Sequence, residues 1–83
     1  MWRESRLINF LYEINTLLDF YDSVSISLEK FRELFCPNSQ AKLHSFKPMA
    51  RRKIKEMIRQ LNLSLIIFIR NNHIVFKKDK EVM

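Results

Sequence analysis

The chain of 83 residues contains no glycine. Average usage of about 7% would give roughly six in a chain this long. Glycine takes positive φ without steric cost, so every left-handed position here falls to another side chain. Asn is the best substitute, because its short polar side chain bonds locally to the backbone. Asn between apolar segments therefore marks tight turns. The clearest is Arg70–Asn71–Asn72–His73, between LSLIIFI and IVF. A type I′ turn on Asn71–Asn72 makes a β-hairpin with strands over 63–70 and 73–78. It pairs Arg70 with His73, Ile69 with Ile74, Phe68 with Val75 and Ile67 with Phe76. Side chains alternate across a strand, so Leu65, Ile67, Ile69, Ile74 and Phe76 form the core face. The other face carries Ile66, Phe68 and Val75 beside Arg70, His73 and Lys77, and is too apolar for plain solvent.

The segments before the hairpin read as three helices and a short strand. Leu7, Phe10, Leu11, Ile14, Leu17, Leu18 and Tyr21 recur at three and four, which predicts a helix over 3–21. Ile8, Tyr12 and Phe20 widen its apolar stripe, so it is either central to the core or covered by a second copy. Val24 and Ile26 alternate with serines and predict a strand over 24–26 that pairs with the hairpin. Ser27 caps a second helix over 28–35, with Leu28, Phe31, Leu34 and Phe35 inward, and Cys36–Pro37 ends it. Residues 37–45 read as a loop, with room for one helical turn around Ala41–His44. Ser45 then caps a third helix over 46–61, with Pro48 in its first turn. Ala50, Ile54, Met57, Ile58 and Leu61 face inward, and Asn62 takes the left-handed position at its end. Residues 79–83 read as a frayed tail. All 83 residues make one α+β domain.

Charge is unevenly placed. Residues 1–44 hold five Lys/Arg and six Asp/Glu, whereas residues 45–83 hold ten and three. The net +6 of the chain thus belongs to the third helix and the hairpin. Arg51, Arg52, Lys53, Lys55 and Arg59 crowd the helix against Glu56 alone. Lys55 and Arg59 each have a cation, not an acid, four residues before them, so repulsion along the stripe has no local relief. A polyanion would supply it.

The order helix, short strand, helix, helix, β-hairpin, with cations on the last helix and hairpin, resembles the winged helix-turn-helix superfamily over about residues 3–78. The resemblance implies a small winged-helix domain whose third helix lies in the DNA major groove and whose wing touches backbone or minor groove. It places Ser45, Lys47, Met49, Arg51, Arg52, Lys55 and Arg59 in the groove. Arg70, Asn71, Asn72, His73 and Lys77 become the wing tip. Arg forks suit guanine edges and phosphates, and hydroxyls near a helix N-terminus suit phosphate. One departure is the roughly nine residues between the second and third helices, where a tight helix-turn-helix uses three or four.

Several function classes are disfavoured. Without glycine there is no phosphate-cradling loop, and no Ser–His–Asp or paired-carboxylate site can be assembled, so an enzyme is not expected. Cys36, His44 and His73 match no metal-ligand spacing. No cofactor, metal or small-molecule substrate is expected. The longest apolar run, Leu65–Ile69, is far short of the ~20 residues of a membrane span. A lone cysteine and no evident leader fit a cytoplasmic or nuclear protein that is not secreted. The sequence thus points to a double-stranded DNA-binding regulator of transcription or replication, acting as a homodimer. Leu11, Tyr12, Ile66, Phe68 and Val75 are the candidate dimer contacts. Two alternatives stand beside it. One is a protein-interaction module working through the first helix and the hairpin; the other is a binder of RNA or single strands along the hairpin.

Overall fold

A computed structural model describes residues 2–79. The chain runs α1 (Glu4–Leu17), β1 (Val24–Ser27), α2 (Leu28–Phe35), α3 (Leu43–Gln60), β2 (Leu65–Arg70), β3 (His73–Lys78). The three strands form one antiparallel sheet in the order β1-β3-β2. This is a small α+β domain consistent with the winged-helix topology. Of the expected tail 79–83, residues 80–83 lie outside the described residues. Asp79 is not frayed, because its N–H donates to the Ser64 carbonyl at 2.9 Å.

Without glycine, asparagine makes the turns. Among the described residues positive φ occurs at Asn62 (56°), Asn71 (50°) and Asn72 (60°). The last two form the two-residue hairpin turn, and the pairing runs Arg70↔His73 to Leu65↔Lys78 in the expected register. Asn62 closes α3 in a Schellman arrangement. Its N–H reaches the Arg59 carbonyl, and the Leu63 N–H reaches the Ile58 carbonyl. A β-branched residue pays about 1–2 kcal/mol for that conformation. Asn62→Val is therefore expected to lower stability by about that much in urea unfolding, and Asn62→Gly to leave it unchanged or slightly higher.

The inner sheet face (Val24, Ile26, Leu65, Ile67, Ile69, Ile74, Phe76) joins one core with the helices. Leu7, Leu11 and Ile14 come from α1 and Leu18 from just beyond it, Leu28, Phe31 and Phe35 from α2, and Phe46, Ala50, Ile54, Met57 and Ile58 from α3. Aromatic rings knit it together. Phe31 meets Phe35 (4.8 Å between centroids) and Phe46 (6.5 Å), and Phe10 meets Phe35 (5.0 Å) and Phe76 (5.9 Å). Trp2 covers the cluster, stacked 5.8 Å from Phe46, while the Arg3 N–H bonds the Phe35 carbonyl.

Two helix boundaries differ from expectation. α1 stops at Leu17, four residues before the expected end. Beyond it the backbone tightens: Asp19 and Phe20 donate to carbonyls three residues back, and Thr16 Oγ1 donates to the Tyr12 carbonyl. Leu17 and Tyr21, read as part of the apolar stripe, are exposed. α3 starts at Leu43, so Ser45 is inside the helix and is not its cap. Lys42 stands at the N-cap without a side-chain bond. The early start puts Leu43, Phe46 and Ala50 on one inward line, and burying apolar side chains outweighs a cap worth about 1 kcal/mol. Pro48 consequently falls in the second turn. The link between α2 and α3 shortens to residues 36–42. Ser27, by contrast, does cap α2: its Oγ accepts from the Lys30 N–H at 3.1 Å.

Candidate nucleic-acid interface

The basic face of α3 is a ridge. Lys47, Arg51, Lys55 and Arg59 recur every four residues, and twelve residues of α-helix rise about 18 Å. Arg52 stands beside the ridge, three residues before Lys55. Arg51, Arg52, Lys55 and Arg59 are exposed, and Lys47 is half-buried on the flank. None of the five has an ion-pair partner among the described residues. Met49 and Ser45 are exposed on the same helix, towards its N-terminus. The first turn of α3 carries no acid, so the positive end of the helix dipole is uncompensated there.

Two further cations of the C-terminal half, Lys53 and Lys78, do not belong to this surface. Lys53, its side chain only 14% exposed, pairs with Glu4 at 3.3 Å and Glu56 at 3.8 Å. It ties α3 to the start of α1. Lys78 Nζ donates to Asn15 Oδ1 at 2.7 Å and lies 3.5 Å from Asp19 Oδ1, which fastens the end of β3 to α1.

The hairpin turn is shorter than a projecting wing. β1 pairs β3 as far as Ser27↔His73, and the Leu28 N–H donates to the Asn72 carbonyl at 2.8 Å. The turn therefore ends flush with the sheet beside the start of α2. His73 is folded back on it, with Nδ1 donating to the Asn71 carbonyl at 2.9 Å. Arg70, Asn71, Asn72 and His73 are exposed there. Lys77 is not at the tip. It pairs with Ile66 at the far end of the strands, about 16 Å from the turn at ~3.3 Å per residue.

The outer sheet face has the composition expected. Phe68 has the Arg70 guanidinium carbon 5.4 Å and Lys77 Nζ 5.9 Å from its ring centroid. Ile66 is exposed and Val75 half-buried. Leu11, expected at a dimer contact, is 0% exposed and belongs to the core. The period of α1 placed it on the apolar stripe without saying which part of the stripe stays uncovered. That part is the helix end: Leu17, Phe20 (79% exposed) and Tyr21 (63%), with Tyr12 one turn earlier.

Arg32 has a role that no spacing signals. Its Nη1 donates to the Ala41 carbonyl at 2.8 Å, and its guanidinium lies 6.0 Å from the Phe46 ring centroid. It thus holds the loop that leads into α3. Hydrogen bonds from charged groups contribute about 1.5–3 kcal/mol. Arg32→Ala is expected to lower stability by about that amount and to weaken any ligand held by the start of α3. Urea unfolding followed by the fluorescence of Trp2, beside Phe46, measures the first effect.

Among the described residues no three His, Cys, Asp or Glu side chains come together as a metal site, and no helix is long and apolar enough to cross a membrane. Cys36 is buried at the end of α2. No protein-family model matches the chain, and no curated protein or solved structure matches it significantly.

Proposed function

We propose that this protein binds double-stranded DNA through α3 and serves as a regulator of transcription or replication. The observation that carries the proposal is the α3 ridge: Lys47, Arg51, Arg52, Lys55 and Arg59 without an acidic partner among the described residues. Like charges at four-residue spacing destabilise a helix, and phosphates relieve that repulsion while releasing counterions. An α-helix fits a major groove about 12 Å wide. Ser45 and Met49 then face base edges, with Lys47, Arg51, Arg52, Lys55 and Arg59 on the flanking phosphates. The flush hairpin turn supports backbone contact by the side chains of Arg70, Asn72 and His73 rather than insertion of a loop. Titrating a short fluorescent duplex at about 50 mM salt tests the proposal. Saturable binding that weakens steeply with salt supports it, and absence of binding refutes it.

The exposed aromatic end of α1 favours a second reading, a protein contact and in the first instance a second copy of this chain. Tyr12, Leu17, Phe20 and Tyr21 leave apolar surface uncovered there. Light scattering after gel filtration is expected to find a dimer, and Phe20→Ser with Tyr21→Ser to return it to monomer without loss of fold. A wild-type monomer at high concentration removes the dimer.

A further inference from the structure

The eight strand residues on the outer sheet face are Ser25, Ser27, Ile66, Phe68, Arg70, His73, Val75 and Lys77. None is acidic, and the face points away from the helices. Phe68 sits at its centre of contacts: Val75 is directly opposite, Ile66 and Arg70 are its neighbours along β2, and His73 and Lys77 are diagonal. Both cations lie against its ring. A self-facing dimer here would set Arg70 and Lys77 against the same charges, which destabilises it. The chemistry that fits is planar, apolar and anionic together. Unstacked bases pack on phenyl rings and on guanidinium planes, and their phosphates pair with the adjacent cations.

We propose that this outer face, centred on Phe68 between Arg70 and Lys77, is a separate binding surface for single-stranded nucleic acid. Its ligand lies along β2 and β3, with a base stacked on the Phe68–Arg70 pair and phosphate on Lys77. The surface is continuous with the α3 ridge at one place, a groove at the β2 edge lined by Lys55, Ile58, Arg59, Leu65, Ile66 and Ile67. A strand leaving a duplex on α3 has that route on to the sheet. The inference does not rest on the duplex reading, since its residues are other than those of the ridge.

The test uses the full chain with short fluorescent oligo(dT) and oligo(U), a duplex, and polyglutamate as competitor. Phe68→Leu keeps every charge and removes the ring. It is expected to weaken oligo(dT) binding about tenfold and to leave duplex binding within about threefold. Lys77→Ala, which changes an exposed side chain, is expected to act in the same direction and guards against a folding defect in the first variant. Arg51→Glu with Arg52→Glu, two α3 residues outside that groove, retains oligo(dT) binding. Equal use of oligo(dT) and oligo(U) means the sugar is not read; preference for oligo(U) makes RNA the source. On adding oligo(dT), amide shifts are expected to move in β2 and β3. The proposal is overturned if Phe68→Leu and Lys77→Ala bind oligo(dT) like wild type. It is equally overturned if the α3 reversal removes both ligands, or if polyglutamate of equal charge competes as well as oligo(dT).

Discussion

Reversing Arg52 and Arg59 to Glu is expected to abolish the proposed duplex binding while the protein stays folded. Both side chains are exposed on the solvent side of α3, and neither has an ion-pair partner among the described residues. Neither belongs to the buried core. Each phosphate contact contributes about 0.9 to the slope of log affinity against log salt. At about 0.1 M salt one such contact is worth close to tenfold over its value at 1 M, so losing two costs about 100-fold before repulsion from the new carboxylates is added. Circular dichroism and the unfolding midpoint are expected to match wild type or rise slightly, since the reversals relieve the crowding of the ridge. Reversing Lys53 is the contrasting control. Its partners are Glu4 and Glu56, so its change falls on stability first.

Phe31→Ala is expected to be the most damaging single truncation. Phe31 is fully buried and touches the rings of Trp2, Phe35 and Phe46. It therefore joins the entry to α1, its own helix and the first turn of α3. Phe→Ala in a core costs about 3–5 kcal/mol, against a total of about 4–12 kcal/mol for a domain of this length. With a urea slope of about 1–1.5 kcal/mol/M the midpoint falls by roughly 2–5 M. The single tryptophan, Trp2, reports the change directly because it packs on the same ring. A loss under about 1 kcal/mol would show that the aromatic cluster is not what holds the helices together.

Local chemistry made much of the fold legible. A chain without glycine has few ways to turn, and Asn62, Asn71 and Asn72 are the described residues with positive φ. From the hairpin turn the register of β2 on β3 follows, and with it the residues on each sheet face. The bounds of α2 follow from Ser27 before it and Cys36–Pro37 after it. What was not legible depends on contacts distant in sequence. Apolar periodicity ran on past Leu17, but nothing in the core receives Phe20 or Tyr21. Ser45 has the chemistry of a cap, yet alignment of Leu43 with Phe46 sets the start of α3. Charge counting by local spacing put Lys53 in the basic stripe of α3 and Lys78 in the positive excess of residues 45–83. Their partners Glu4 and Asp19 lie on or just beyond α1, far along the chain. For the same reason Arg32 escaped notice: its contacts are with the Ala41 carbonyl and the Phe46 ring.

On the proposed function the α3 ridge is a phosphate-binding surface. The most direct measurement is the affinity for a short duplex across a salt series from about 50 to 200 mM. With about five phosphates neutralised by Lys47, Arg51, Arg52, Lys55 and Arg59, log affinity should fall against log salt with a slope of about −4 to −5. The slope should drop by about 2 when Arg52 and Arg59 are both changed to Ala, which removes the two contacts without adding carboxylates. No duplex binding at the lowest salt, or a slope near zero that the two substitutions leave unchanged, would contradict the account.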